Sequence, residues 1–191
     1  MINVDKSMIN IGTFDVVSGK LRITDPCYDK KDNSYSSVID VRNGKWDAFI
    51  VMHDDRPFKL IAMHEHVVTI RDYQWEFLDN NISVDSGQAG IFDESHYQDH
   101  SIILEDPDED FCNDRWYSAC CCASIMGKNN GESSAGVIPF GAVSSSGYGD
   151  GEYSCYIHKN SDGMIDAVMI DFQDEYEDED EDDDYEEDED Y

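Results

Sequence analysis

Positive charge is what this chain has least of. Its 191 residues carry 13 Lys plus Arg against 44 Asp plus Glu, a formal net charge of −31. Such a balance excludes direct nucleic-acid binding, because phosphate recognition needs the opposite sign. Long apolar runs are missing too, and nothing approaches the ~20 consecutive apolar residues of a membrane helix. Asp5 and Lys6 interrupt the first ten residues, so no basic-then-apolar leader is visible. No C-x-x-C pair occurs. Of the six cysteines (Cys27, Cys112, Cys120, Cys121, Cys122, Cys155), three are consecutive and badly placed to bridge one another. These features read as free thiols in a reducing compartment, the cytoplasm of a cell or of an infected host.

What is abundant is acid, and it is unevenly placed. From Asp171 to Tyr191 there are 16 acids and no base, which leaves the preceding 170 residues at −15. A polyacid this poor in apolar residues cannot offset an ordering entropy of about 1–2 kcal/mol per residue, so residues 171–191 read as a disordered interaction tail. Its partner-binding candidates include Asp174, Glu175, Glu177, Asp178, Asp180, Asp184 and Glu187.

Residues 1–170 read as one β-rich domain. Gly12–Ser18 and Lys20–Thr24 flank Ser18-Gly19 as a hairpin, and Ser37–Val41 is followed by a second hairpin turn at Asn43-Gly44. Lys45–His53 and Phe58–Ile70 alternate most clearly. With Asp54–Pro57 as a four-residue loop, Val51 faces Leu60 and Asp47 faces His64. Asp85–Phe92 is a small-residue segment that lets a backbone or ligand approach closely, and Asp93–Asp110 reads as a polar surface excursion. Phe111–Met126 is the one helix, with Asp114 or Asp110 at its start and Gly127–Gly131 at its end. Gly147–Gly151 forms a hairpin connection, and Asn160–Gly163 a turn. The total, about ten short strands with one covering helix, predicts an antiparallel β-sandwich or barrel.

Four blocks, Gly19–Tyr28, Val84–Gly90, Trp116-Tyr117 and Ser144–Gly151, resemble a family of small uncharacterised domains of bacteria and their phages. The resemblance runs from about Gly12 to Val168. It implies a single β-rich domain without a known reaction, and the acidic tail lies outside it.

Three sets of residues carry candidate chemistry. Asp25, Asp85 and Asp150 each stand where a strand meets a turn, and three converging carboxylates could hold Mg²⁺ or Ca²⁺ and activate water. Asp at such positions equally caps its own turn. Gly147, Gly149 and Gly151 could cradle a ligand through their amides, but no Lys or Arg follows as in a phosphate loop, and a tight turn explains them as well. His64 and His66 share a strand face, and Asp47 would complete a zinc-like set if the assumed register holds. A hydrogen-bonded histidine pair is the competing reading. Cys120, Cys121 and Cys122 point in different directions on a helix and read as small core residues. No base is placed beside Cys27.

The functional expectation is a non-enzymatic acidic binding protein, an inhibitor or regulator that imitates nucleic-acid charge toward a basic protein partner. The alternative is a metal-dependent hydrolase or small-ligand binder at the Asp/Gly-rich turns.

Overall fold

Period-two alternation decides which side chains meet, and here it places two sheets face to face. The computed structural model describes residues 8–67, 74–103, 114–126 and 134–173. A seven-stranded antiparallel sheet runs β1 (Met8–Val16), β4 (Gly44–His53), β5 (Arg56–His64), β12 (Ile165–Asp171), β11 (Gly151–Lys159) and β6 (Glu76–Phe77), with β7 (Ile82–Val84) also on β11. The second sheet has five strands: β3 (Ser37–Asp40), β2 (Lys20–Thr24), β8 (Gln88–Asp93), β10 (Gly141–Ser145) and β9 (Ala135–Ile138).

The main core fills the space between the sheets. Phe14, Trp46, Ile50, Leu60, Ile170 and Phe172 project from the larger sheet onto Leu21, Ile23, Ile91 and Ala142 of the smaller one. Trp46 is fully buried, and its indole Nε1 donates to Arg42 O at 3.0 Å. Such anchoring meets the need of a buried Trp for a hydrogen-bond acceptor.

A second, smaller core lies on the other face of the five-stranded sheet. Phe92, Val143 and Ile138 meet Tyr97, Ile103, Trp116 and Cys120 there. The covering elements are α1 (Arg115–Met126) and two single-turn 3₁₀ helices, Glu94–His96 and His100–Ile102. The expected helix start at Phe111 lies outside the described residues, but Asp114 does act as the N-cap, accepting from Tyr117 N at 2.9 Å. A Cβ on Gly136 would stand 2.9 Å from Ala123 O, so this glycine lets the helix lie against β9. Residues 94–103 are thus partly a packed cover and not only a polar excursion.

Three turns with hairpin chemistry are not hairpins. β1 pairs with β4 while β2 pairs with β3 and β8, so Val17-Ser18-Gly19 is an arch from one sheet to the other. Asn43-Gly44 crosses back in the same way, from β3 to β4, and residues 146–150 cross from β10 to β11. The physical reason is burial: each flanking strand satisfies its ladder with a strand other than the one across the turn, and puts its apolar face into the shared core. The β4–β5 pair is a true hairpin, but its turn is Asp54-Asp55, both at positive φ (49° and 62°). With a bulge at Val51/Met52, this pairs Ile50 with Leu60 and Trp46 with His64, one residue off the expected register. Asn160–Gly163 does turn β11 back into β12, with Gly163 N donating to Asn160 O at 2.9 Å. The ordered body also runs past residue 170: Asp171 closes β12 and pairs with Lys59 at 3.0 Å, while Phe172 is fully buried.

Candidate functional site

Three connections meet at one end of the sandwich, and a buried carboxylate joins two of them. Asp25 directly follows β2 and has no exposed surface. Its Oδ1 accepts from Cys27 N (2.8 Å) and Ser86 Oγ (2.6 Å), and its Oδ2 from Asp85 N (2.8 Å) and Ser86 N (2.7 Å). Four donors on one carboxylate replace the water it has lost. The third connection joins through Asp150, whose Oδ1 accepts from Gly87 N at 3.1 Å. Ser146 N donates to Gly87 O at 2.9 Å, and Ser146 Oγ donates to Gly149 O at 2.6 Å.

The sequence candidates are therefore brought together, but through backbone. Asp85 and Asp150 are exposed, Asp25 has both oxygens engaged by N–H and O–H donors, and Asp85 offers Asp25 its amide, not its carboxylate. Among the described residues, no three His, Cys, Asp or Glu side chains group so as to hold a metal ion. Gly147 (φ 72°) is held by close approach, since a Cβ there would stand 2.1 Å from Pro57 O. Gly149 (φ 93°) has nothing within 4 Å of that position, and for Gly151 the nearest atom is Tyr153 Oη at 3.7 Å.

Around this knot stands a set of side chains that sequence reading did not assemble. Tyr28 stands on the turn that Asp25 ties to Asp85, and loss of solvation, followed by the influence of the Asp85 carboxylate, holds its phenol well above the ordinary range. Tyr28 stacks on Tyr35 at 4.9 Å between centroids. Tyr117 of α1 comes in beside Gln88, and burial, the largest cause, pushes its hydroxyl up to about 12. Gln88 Nε2 donates to Tyr117 Oη (3.4 Å) and Cys121 Sγ (3.5 Å), and Ser124 Oγ donates to Gln88 Oε1 at 2.8 Å. Cys27 is exposed, yet its thiol is pushed up to about 12, first by desolvation of the sulfur and then by the Asp25 and Asp85 charges. A thiol in that setting stays protonated and is a poor nucleophile. The groups that act on it are Asp25, Asp85 and Ser86; none is a histidine.

Residues 76–170 match the model of one protein family. That family, DUF4241, is described as a protein of unknown function. The DUF4241 match takes in just under half of the chain, including β6 to β11, α1 and nearly all of β12. It begins after Asp25, Cys27 and Tyr28, so the site is built across its boundary, and the range is narrower than the Gly12–Val168 span of the resemblance. No curated protein matches the chain. No solved structure matches it either.

The histidine set falls elsewhere. His64 is buried; its Nε2 lies 3.0 Å from Asn43 O and its Nδ1 accepts from His66 N at 3.2 Å. Both ring nitrogens are engaged, with the proton on Nε2. Asp47 pairs with Met63 and not with His64, so the one-residue register difference puts it on the opposite face. The five cysteines among the described residues are free thiols, Cys120, Cys121 and Cys155 being buried, and Cys112 lies outside those residues.

Two further acid groups hold the fold. Asp93 is fully buried; Oδ2 accepts from Val17 N and Ser18 N, both at 2.8 Å, and Oδ1 accepts from Ser95 N (3.0 Å) and lies 2.9 Å from His96 Nδ1. Burial opposes its charge, but the bonds from Ser95, Ser18, His96 and Val17 prevail and hold the carboxyl far below the usual range. His158 Nδ1 meets Asp166 Oδ1 at 2.6 Å, both buried, across the β11–β12 hairpin. The signal for Asp93 was the Asp-x-Ser turn pattern. The His158–Asp166 pair depends on a bulge, which no sequence periodicity announces.

Proposed function

We propose that this is a non-enzymatic acidic binding protein that presents nucleic-acid-like charge to a basic protein partner, as an inhibitor or regulator. The observation that carries the reading is the uncompensated charge of the folded body. Lys20, Arg22, Lys45, Lys59 and Lys159 each sit against a carboxylate. Asp55, Glu65, Asp79, Asp85, Asp150 and Glu152 are exposed, and no Lys or Arg side chain among the described residues pairs with them. A field of one sign steers a cationic partner from a distance and fades with salt. Residues 174–191 add 15 acids and no base to it.

The hydrolase or small-ligand reading keeps less support. It needs carboxylate oxygens free for a Mg²⁺ or Ca²⁺ ion, and Asp25 gives its own to four donors.

The test is capture of lysate proteins on the immobilised chain at low and at high salt, followed by elution with duplex DNA or RNA. The expected result is a basic nucleic-acid-binding protein, retained at low salt and displaced by its own nucleic acid. Retention that ignores both salt and nucleic acid would sink the reading.

A further inference from the structure

The body offers a specific landing place for such a partner, and this inference rests on the binding reading above. Tyr28 and Tyr35 form a stacked pair on the loop after β2, and Tyr35 is 43% exposed. Asp25 ties the turn that carries Tyr28 to the turn that carries Asp85, whose own surface is open. Through Gly87 the line continues to Asp150, and then to Tyr148 two residues earlier. The Arg56 guanidinium already lies over the Tyr148 ring, 5.6 Å from its centroid, so this end of the molecule accommodates a guanidinium on a tyrosine face within its own chain. Two lysines follow Tyr28 on the same loop. Lys30 Nζ donates to Glu94 O at 2.5 Å, and Lys31 stands between Asp29 and Asp32 on the same loop.

Aromatic faces with an adjacent carboxylate select a cation by two additive routes, the ring quadrupole and the charge. We propose that the Tyr28–Tyr35 platform with Asp85 is the docking point for an arginine side chain of the basic partner, and that the remaining acids supply long-range attraction. Asp25 makes the platform rigid, because it fixes both the turn that carries Tyr28 and the turn that carries Asp85.

The test is an NMR titration of the full-length labelled chain with an oligo-arginine peptide at low ionic strength. Amide shifts should concentrate at Tyr28, Tyr35, Asp85 and Ser86. The double substitution Tyr35→Ala with Asp85→Asn, both at exposed positions, should weaken the peptide about fivefold to tenfold. An oligo-lysine peptide of equal charge should bind the wild type more weakly, since lysine stacks less well on aromatic rings. Shifts confined to residues 174–191, or spread evenly over all exposed acids, would overturn the platform while leaving the acidic-partner reading standing. No shifts anywhere would remove both.

Discussion

At the scale of single residues, two buried carboxylates hold the architecture. Asp25 collects four donors and Asp93 collects donors from two separate connections, and in both cases most of the donors are backbone amides. Replacing Asp25 by Ala strands those donors, at a cost on the order of 3 kcal/mol. Asp25→Asn should also be damaging, because even with its oxygen turned to the Asp85 and Ser86 amides its NH₂ would confront the Cys27 N–H. Urea unfolding of the two variants against wild type reads this directly, and an asparagine variant as stable as wild type would show that the charge is dispensable. Asp93 makes a different prediction because its folded pKa is depressed. Its stabilisation is present above the unfolded value of about 3.9 and is lost as pH falls below it. The stability gap between wild type and Asp93→Asn should therefore be full at neutral pH and close progressively below about pH 4. A gap that stays constant to acid pH would mean that Asp93 acts through shape alone.

At the scale of elements, the strands were largely legible and the connections were not. β2 appears where the alternation of Leu21 and Ile23 puts it, and β4 within one residue of its reading. β8 was missed because all six of its residues are buried, so Gln88–Asp93 shows no alternation. The glycine turns were recognised as turns but assigned the wrong partners. Turn chemistry reports local φ and ψ, whereas the choice between a hairpin and an arch depends on which distant strand completes the ladder. The same limit applies to the site, where Asp25, Asp85 and Asp150 were picked out but Ser86, Tyr28 and Tyr117 were not. Those three matter only because separate elements converge. Gly147 and Gly149 separate the two roles a glycine has in an arch. Gly149→Ala meets only the penalty of positive φ, about 1 kcal/mol. Gly147→Ala adds a clash with the Pro57 carbonyl, which must move with β5, and should cost about 3 kcal/mol or more. Equal melting temperatures for the two variants would contradict the close approach.

At the scale of the whole molecule, the charge proposed to recruit a partner also works against folding. Compaction brings the acids of the body together, and a net charge of −15 over residues 1–170 leaves much of that repulsion unbalanced. Added salt acts in two directions. It screens attractive pairs such as Lys20–Asp40 and Lys45–Asp15, which are about half exposed or more and worth roughly 0–1 kcal/mol each. It also screens the repulsion among the far more numerous acids, over a Debye length that shrinks to about 10 Å at 0.1 M salt. The second effect outweighs the first because like-charged pairs outnumber opposite pairs throughout the surface. The melting temperature should therefore rise with sodium chloride, by roughly 2–4 °C for each kcal/mol of repulsion relieved in a chain of this size. Partner capture should weaken over the same range. A melting temperature that falls with salt would place the attractive pairs above the repulsion and leave the excess acid without the energetic weight that the binding role assigns to it.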